Sequence, residues 1–377
     1  MTDKISHFLA TQQPETPCLV VDLDVIAGNY QSLRRYLPVA QVFYAVKANP
    51  APEVIRLLEG LGSCFDCASR PEIQSVLDAG ASSERISFGN TIKKQRDIAW
   101  AYEQGVRLFA FDSEAELEKL AQSAPGSKVF CRLLMTCEGA DWPLSRKFGC
   151  DADMARDLLI RARTLGLEPY GISFHVGSQQ TMLDQWDIAI GKTAMLFSDL
   201  NAAGIELKMI NLGGGLPARY RDDVAPVDAY ANAIMNAMTA HFGNNLPQMI
   251  VEPGRSLVGD SGILETEVIL VSRKSYDEDE RWVYLDVGKF GGLAETMDEA
   301  IKYRLQLVDV AEGPTGPVVL AGPTCDSADI LYEKHQYQMP LSLKPGDKLR
   351  ILSTGAYTTS YSAVNFNGFA PLKAYFI

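Results

Sequence analysis

No stretch of the 377 residues approaches about 18 consecutive apolar positions, so a membrane-spanning helix is not expected. The opening "MTDKISHFLATQQPETP" has no apolar h-region of a secretory signal, and the default expectation is a cytoplasmic protein. Histidine is scarce. His7, His175, His241 and His335 form no HxH or HExxH pair, which removes the common zinc signatures. Seven cysteines, odd in number and scattered, do not make a disulfide framework. One CxxC (Cys64, Cys67) has no second pair, and strand alternation would aim its two thiols at opposite faces. No metal is expected. A GxSxG elbow is also missing, which leaves a Ser-His-Asp hydrolase unsupported. Positive charge is in deficit, with 35 Lys and Arg against 47 Asp and Glu. A net −12 argues against a nucleic-acid partner and mildly favours cationic ligands.

What is present is a regular alternation. The runs "QVFYAV" (41–46), "GSCFDC" (62–67), "RISFG" (85–89), "VRLFAFD" (106–112), "KVFCRLL" (128–134), "YGISFHV" (170–176), "LKMINLG" (207–213) and "PQMIVE" (247–252) read as strands. Segments of helical spacing lie between them, among them "PEVIRLLEG", "RPEIQSVLDAG", "SEAELEKLAQ", "DMARDLLIRARTLG" and "AIGKTAMLFSDLNAAG". Several end in the glycine that follows a helix C-terminus. Eight such units predict a parallel (β/α)₈ TIM-like barrel over residues 36–257 rather than an open doubly wound sheet. Beyond it, "ILETEVILVSRKS", "ERWVYLDVGKF", "PVVLAGPTCD" and "DKLRILSTGAY" predict a mostly β second domain over 258–377, a sandwich or barrel. Residues 1–35 carry "TPCLVVDLD" (16–24), a strand that could join either the barrel or the β domain.

Chemistry on such a barrel sits where strands end at their C-terminal side. The first run ends in Lys47, and the second carries Asp66. The sixth delivers "HVGSQ" with His175 and Ser178. The seventh opens into Gly213, Gly214 and Gly215, and the eighth ends in "EPGR", Glu252 to Arg255 through Gly254. Each has a plainer reading. A lone strand-end lysine is usually solvated, a histidine in "ISFHVG" can be a satisfied core residue, and a glycine run can be only a turn. Five strand ends converging on one face outweigh those readings. A lysine, a backbone cradle for phosphate, a flat ring for stacking and a carboxylate suit pyridoxal 5′-phosphate. The lysine amine condenses with its aldehyde, and a carboxylate such as Glu252 keeps the ring nitrogen protonated so that the ring accepts electrons.

The motifs "YAVKAN", "FDCAS", "SFHVGSQ", "NLGGGLP", "EPGR", "GPTCDSAD" and "GAYT…FNGF" together resemble the pyridoxal-phosphate decarboxylases of the alanine-racemase fold, most closely the ornithine and ornithine/lysine branch. The resemblance covers nearly the whole chain. It implies that Lys47 anchors the cofactor, that His175 lies against one ring face, and that Ser178, Gly215, the loop Glu252 to Arg255 and Tyr357 hold phosphate and ring. Asp66 falls near the cofactor. Cys325 is implied as the acid that protonates the α-carbon, and Asp326 as the group that grips the distal ammonium. In the family these two come from the partner subunit, so a head-to-tail homodimer with shared sites is implied. Read from the residues alone, Cys325 would more ordinarily be a buried structural cysteine. Asp326 and Asp329 make its segment acidic, which suits a diamine.

The expected reaction is decarboxylation of L-ornithine and/or L-lysine to putrescine and/or cadaverine, a step of polyamine biosynthesis. Diaminopimelate decarboxylase, arginine decarboxylase and a non-catalytic regulator are the alternatives. A distal carboxylate on the substrate would call for positive charge, yet "SAVNFNGFAPLKAYFI" holds no arginine. Lys47, Glu252, Cys325 and Asp326, all intact, argue against a regulator. One departure is the segment "DVGKFGGLAETMDEAIKYRL", where the ornithine enzymes of eukaryotes carry a second substrate aspartate. Glu295 or Asp298, beside Thr296, is left as that carboxylate, direct or through water.

Overall fold

The computed structural model describes residues 1–142, 147–311 and 313–377, with the side chain of Trp142 outside the description. It divides into two compact units, one of residues 27–217 and 224–256, the other of 1–26, 218–223 and 257–377.

The first unit is the closed parallel barrel. Its strands are β2 (Ala40–Ala45), β3 (Cys64–Cys67), β4 (Ile86–Phe88), β5 (Leu108–Phe111), β6 (Lys128–Arg132), β8 (Glu168–Ser173), β10 (Met209–Asn211) and β11 (Gln248–Val251). They pair in that order, and β11 closes on β2. Each predicted run overlaps one of them, with β2 and β8 beginning one and two residues earlier than their runs. Phe43, Ala110, Phe130, Met209 and Ile250, from five different strands, pack together as a buried cluster. The remaining two short strands, β7 (Ala140–Trp142) and β9 (Ser178–Gln180), pair antiparallel as a separate ribbon.

The helices between strands begin where local chemistry starts them. Proline sits in the first turn of α3 (Pro52–Gly60), where no N–H is needed. Ser69 caps α4 (Arg70–Asp78), and Asp151 caps α7 (Ala152–Thr164) by accepting from Met154 N at 2.8 Å. The expected helix at 189–204 begins earlier, as α8 (Asp184–Ala202).

The second unit is mostly sheet. Its main path runs β14 (Leu305–Val308), β17 (Lys348–Leu352), β12 (Gly262–Ser272), β13 (Arg281–Leu285), β15 (Thr315–Ala321) and β16 (Ile330–Pro340). Strand β1 (Cys18–Val21) joins here, antiparallel to β12 and parallel to β18 (Lys373–Phe376). Joining the barrel, one of the two expectations for "TPCLVVDLD", is therefore corrected. Pairing of β11 with β2 leaves the barrel no edge, and all four residues of β1 are buried in the second unit. Residues 218–223, inside the span expected for the barrel, also belong to the second unit. Tyr220 packs edge-on against Tyr303 with centroids 5.4 Å apart, and Arg221 N donates to Lys302 O.

Candidate active site

Lys47 stands in a single 3-10 turn, Val46–Ala48, directly after β2. From Val42 to Asn49 it is the only exposed residue. The turn is fixed from several sides: Tyr44 Oη donates to Asn49 O at 2.9 Å, Ala51 N to Asn49 Oδ1 at 3.2 Å, and Ala45 N to Pro253 O at 3.1 Å. Lys47 is thus the one exposed side chain of an otherwise buried and braced segment.

Asp66 lies on the neighbouring strand, in register with Ala45. Its carboxyl is buried, Oδ1 has no hydrogen-bond partner among the described residues, and burial raises its pKa against the fields of Lys47 and Arg132. Gly89, at the exit of β4, makes room for it, since a Cβ there would collide with Asp66 Oδ1.

His175 follows β8. Its Nδ1 accepts from Gly177 N at 3.0 Å, which places the proton of the neutral ring on Nε2. Burial, then the charges of Arg132 and Lys47, hold its pKa well below the ordinary 6.5, so the ring is uncharged near neutrality. A Cβ at Gly214 would come within 3.3 Å of Nε2. Gly213 and Gly215 have φ of +65° and +106°, and a Cβ on Gly215 would stand 2.6 Å from Gly177 O. The three glycines are thus required by backbone conformation or close approach. Arg255, buried, donates to Ser178 Oγ from Nε at 3.3 Å and Nη2 at 3.2 Å. A guanidinium, a hydroxyl and glycine backbone make a site suited to phosphate. Gly254, also buried, carries the chain from Glu252 to Arg255.

Glu252 ends β11. Its Oε1 accepts from Asn211 Nδ2 at 2.5 Å, and its N donates to Gly213 O at 2.8 Å. Burial and the charge of Asp66 raise its pKa to about 7, while Asn211, Lys47 and Arg132 pull the other way. A buried carboxyl so poised is completed by a cationic partner, and the protonated nitrogen of a pyridine ring is one. That carboxyl, the orphaned Asp66 Oδ1 and the glycine cradle fit pyridoxal phosphate.

The barrel thus brings together Lys47, Asp66, His175, Ser178, Gly213, Gly214, Gly215, Glu252, Gly254 and Arg255. The other expected residues, Cys325, Asp326, Tyr357, Glu295 and Asp298, belong to the second unit. Among the seven cysteines Cys325 alone is exposed, which corrects the buried structural reading. Asp326 is exposed too, and its Oδ1 accepts from Ala328 N at 2.9 Å. Asp329 is different. It is buried and accepts from Lys289 N, Thr324 N and Thr324 Oγ1 at 2.7–3.2 Å, so its carboxylate braces the loop from within. Tyr357 is half-buried with φ +53°. Glu295 is buried and Asp298 exposed with φ +52°, in the turn Ala294–Glu299.

Gly89, Arg132 and Asn211 escaped the sequence reading. Arg132 closes an apolar strand as Lys47 does, and Asn211 precedes the glycine run. Those were the available signals.

The family profile described as "Pyridoxal-dependent decarboxylase, pyridoxal binding domain" matches residues 23–259. A lysine/ornithine decarboxylase of Selenomonas ruminantium is 36% identical over 371 residues, 98% of this chain and 91% of that protein. The structure of a lysine/ornithine decarboxylase from Vibrio vulnificus complexed with cadaverine superposes with a TM-score of 0.88 at 29% identity, over 100% of this chain and 99% of that one. The arginine decarboxylase of Paramecium bursaria Chlorella virus, bound to agmatine, gives a TM-score of 0.91 at 29% identity, covering 100% of both chains. From the barrel rim and these matches together, the chain belongs to the pyridoxal-dependent decarboxylases.

Proposed function

We propose that this enzyme decarboxylates L-ornithine, L-lysine or both, and releases putrescine or cadaverine for polyamine synthesis. The observation that carries the reading is the barrel rim, with an exposed lysine, an uncharged histidine and a carboxyl at about 7 around a glycine-arginine cradle. The 36% identity to a lysine/ornithine decarboxylase directs the choice of substrate.

When bound, the cofactor supplies a sink for the electron pair left on the α-carbon as carbon dioxide departs. Lys47 would hold the cofactor through its amine, the group that condenses with an aldehyde. His175 covers one ring face without adding charge. Ser178, Gly213, Gly214, Gly215, Gly254, Arg255 and Tyr357 grip phosphate and ring, and Asp66 lies beside Lys47. Glu252 keeps the ring nitrogen protonated. Cys325 gives its thiol proton to the α-carbon, and Asp326 pairs with the distal ammonium, with Glu295 or Asp298 as the second carboxylate. Cys325 and Asp326 reach the barrel of a second copy, which makes the working form a head-to-tail homodimer in the cytoplasm.

Ornithine and lysine differ by one methylene, worth about 0.8 kcal/mol of apolar transfer. A pocket separates such substrates by only about 1–3 kcal/mol. Turnover of both is expected. A guanidinium is bulkier and prefers a bidentate acceptor, which places arginine behind. The test is carbon dioxide release from ornithine, lysine, arginine and diaminopimelate in parallel, with the near-visible absorption of wild type and Lys47→Ala recorded. Turnover of ornithine or lysine, with a band that vanishes in the variant, supports the proposal. Turnover of diaminopimelate alone, or of none of the four, overturns it.

A further inference from the structure

Cys325 does not present its thiol unaided. Asn367 Oδ1 lies 3.1 Å from Cys325 N and 3.4 Å from Cys325 Sγ, so one carbonyl oxygen accepts from both the backbone and the thiol of the same residue. Because the backbone N–H is a donor, the amide end facing it must be the oxygen, and the same oxygen then orders the S–H bond. Asn367 sits in the 3-10 turn Phe366–Gly368 with φ +52°, a left-handed conformation that asparagine tolerates better than most residues. The turn is tied to its own unit: Phe366 packs on Phe290 with centroids 4.9 Å apart, and Ala363 N donates to Phe290 O at 2.9 Å. The loop bearing Cys325 is fixed from the other side by the buried Asp329 carboxylate, which takes three donors from residues 289 and 324. Gly288 and Gly322 leave it room, since a Cβ on either would collide with that carboxylate.

We infer that Asn367 is a positioning residue for proton delivery, and that it sets which carbon receives the Cys325 proton. The inference rests on the proposed role of Cys325. In that role the C–C bond to the carboxylate breaks, its electron pair stays on the α-carbon, and the sulfur-bound proton moves there. A thiolate remains and is reprotonated from water. A thiol pointed elsewhere leaves the α-carbon open to delay. A proton that reaches the cofactor instead leaves the amino nitrogen there, and water then releases an amino aldehyde in place of the diamine. Loss of Asn367 therefore changes the product ratio before it changes carbon dioxide release.

Asn367→Gly is the informative substitution. It keeps the left-handed turn comfortable and removes only the acceptor. Asn367→Asp keeps an acceptor in the same place and adds charge. In the full-length holoenzyme with the preferred diamino acid, Asn367→Gly is expected to raise the aldehyde-to-diamine ratio about tenfold, the scale of one well-placed hydrogen bond. Asn367→Asp should restore the ratio to near wild type. A second readout needs neither cofactor nor substrate: the pH dependence of iodoacetamide alkylation at Cys325, resolved by peptide mass. Its midpoint should move upward in Asn367→Asp, where a negative charge opposes the thiolate. If Cys325→Ala shifts the ratio and Asn367→Gly does not, the inference fails while the role of Cys325 stands. If Cys325→Ala itself leaves the ratio unchanged, that role fails, and the inference with it.

Discussion

Asn211 Nδ2 donates to Glu252 Oε1 across 2.5 Å, which joins the C-terminal ends of two adjacent barrel strands at the carboxyl proposed to face the ring nitrogen. The contact favours the charged carboxylate, yet burial still lifts its pKa from 4.5 to about 7. A carboxyl raised on folding binds a proton more tightly in the native state. Its stabilising contribution is present below about pH 4.5 and is lost as pH rises towards 7.

In cofactor-free protein, Glu252→Gln should therefore melt with wild type at pH 5 but above it at pH 8, by on the order of 2 kcal/mol. With cofactor bound the variant should turn over about 10²–10³-fold more slowly, as expected when a fixed charge is removed from a reacting centre. Parallel melting curves and kcat measurements check both halves. A variant less stable than wild type at pH 8 would contradict the raised pKa.

Gly89→Ala should weaken cofactor retention although residue 89 was assigned no direct role. The added methyl would drive Asp66 Oδ1 from its position, and a buried carboxyl cannot move without finding a new partner. Dialysis against cofactor-free buffer, followed by absorption, should show faster loss than in wild type, with Ser87→Ala as a neighbouring control on the same strand. Equal retention would mean that Asp66 does not serve the cofactor.

Glu299 anchors the turn that carries Glu295 and Asp298. It accepts from Glu333 N, Lys334 N and His335 N at 2.7–2.8 Å and contacts His335 Nδ1 at 2.7 Å. Burial alone would raise its pKa, but these donors outweigh it and hold the pKa at about 2. The stability it supplies is present above pH 4.5 and fades as pH falls towards 2. Glu299→Gln should cost about 2 kcal/mol at pH 7 and nothing at the acid end of that window. Urea unfolding at the two pH values would show it.

Asp326→Asn should reduce kcat/KM for lysine and ornithine about thirtyfold, the loss of one charge-assisted contact. Most of the change should fall in KM, because the distal ammonium is as charged in the ground state as in the transition state. A pure kcat effect would assign Asp326 to the chemistry instead.

The rim position of Lys47, His175 and Glu252 could be read from the sequence because strand ends of a parallel barrel share one rim, and short motifs carry each residue there. Gly89 could not. Its necessity comes from a carboxylate on the adjacent strand, and nothing beside it in the chain records that neighbour. Asn211 and Arg132 stood at legible places, before the glycine run and at the end of an apolar strand, but the groups each acts on are distant in sequence. Asp329 shows the converse error: acidity of a segment does not say which carboxylate faces outward. The side of the molecule joined by β1 was open for a related reason, as four buried residues fit either unit and only the partner strand decides.

That partner strand sets an order of events. Strand β1 pairs with residues 262–265 and 373–376 and with nothing nearer. As the chain leaves the ribosome, the barrel strands are all available by residue 251, while residues 18–21 still lack both of their neighbours. Residues 18–21 therefore wait, unpaired and apolar, until residues 262–265 have emerged, and the second edge of that strand stays bare and open to other chains until residues 373–376 follow.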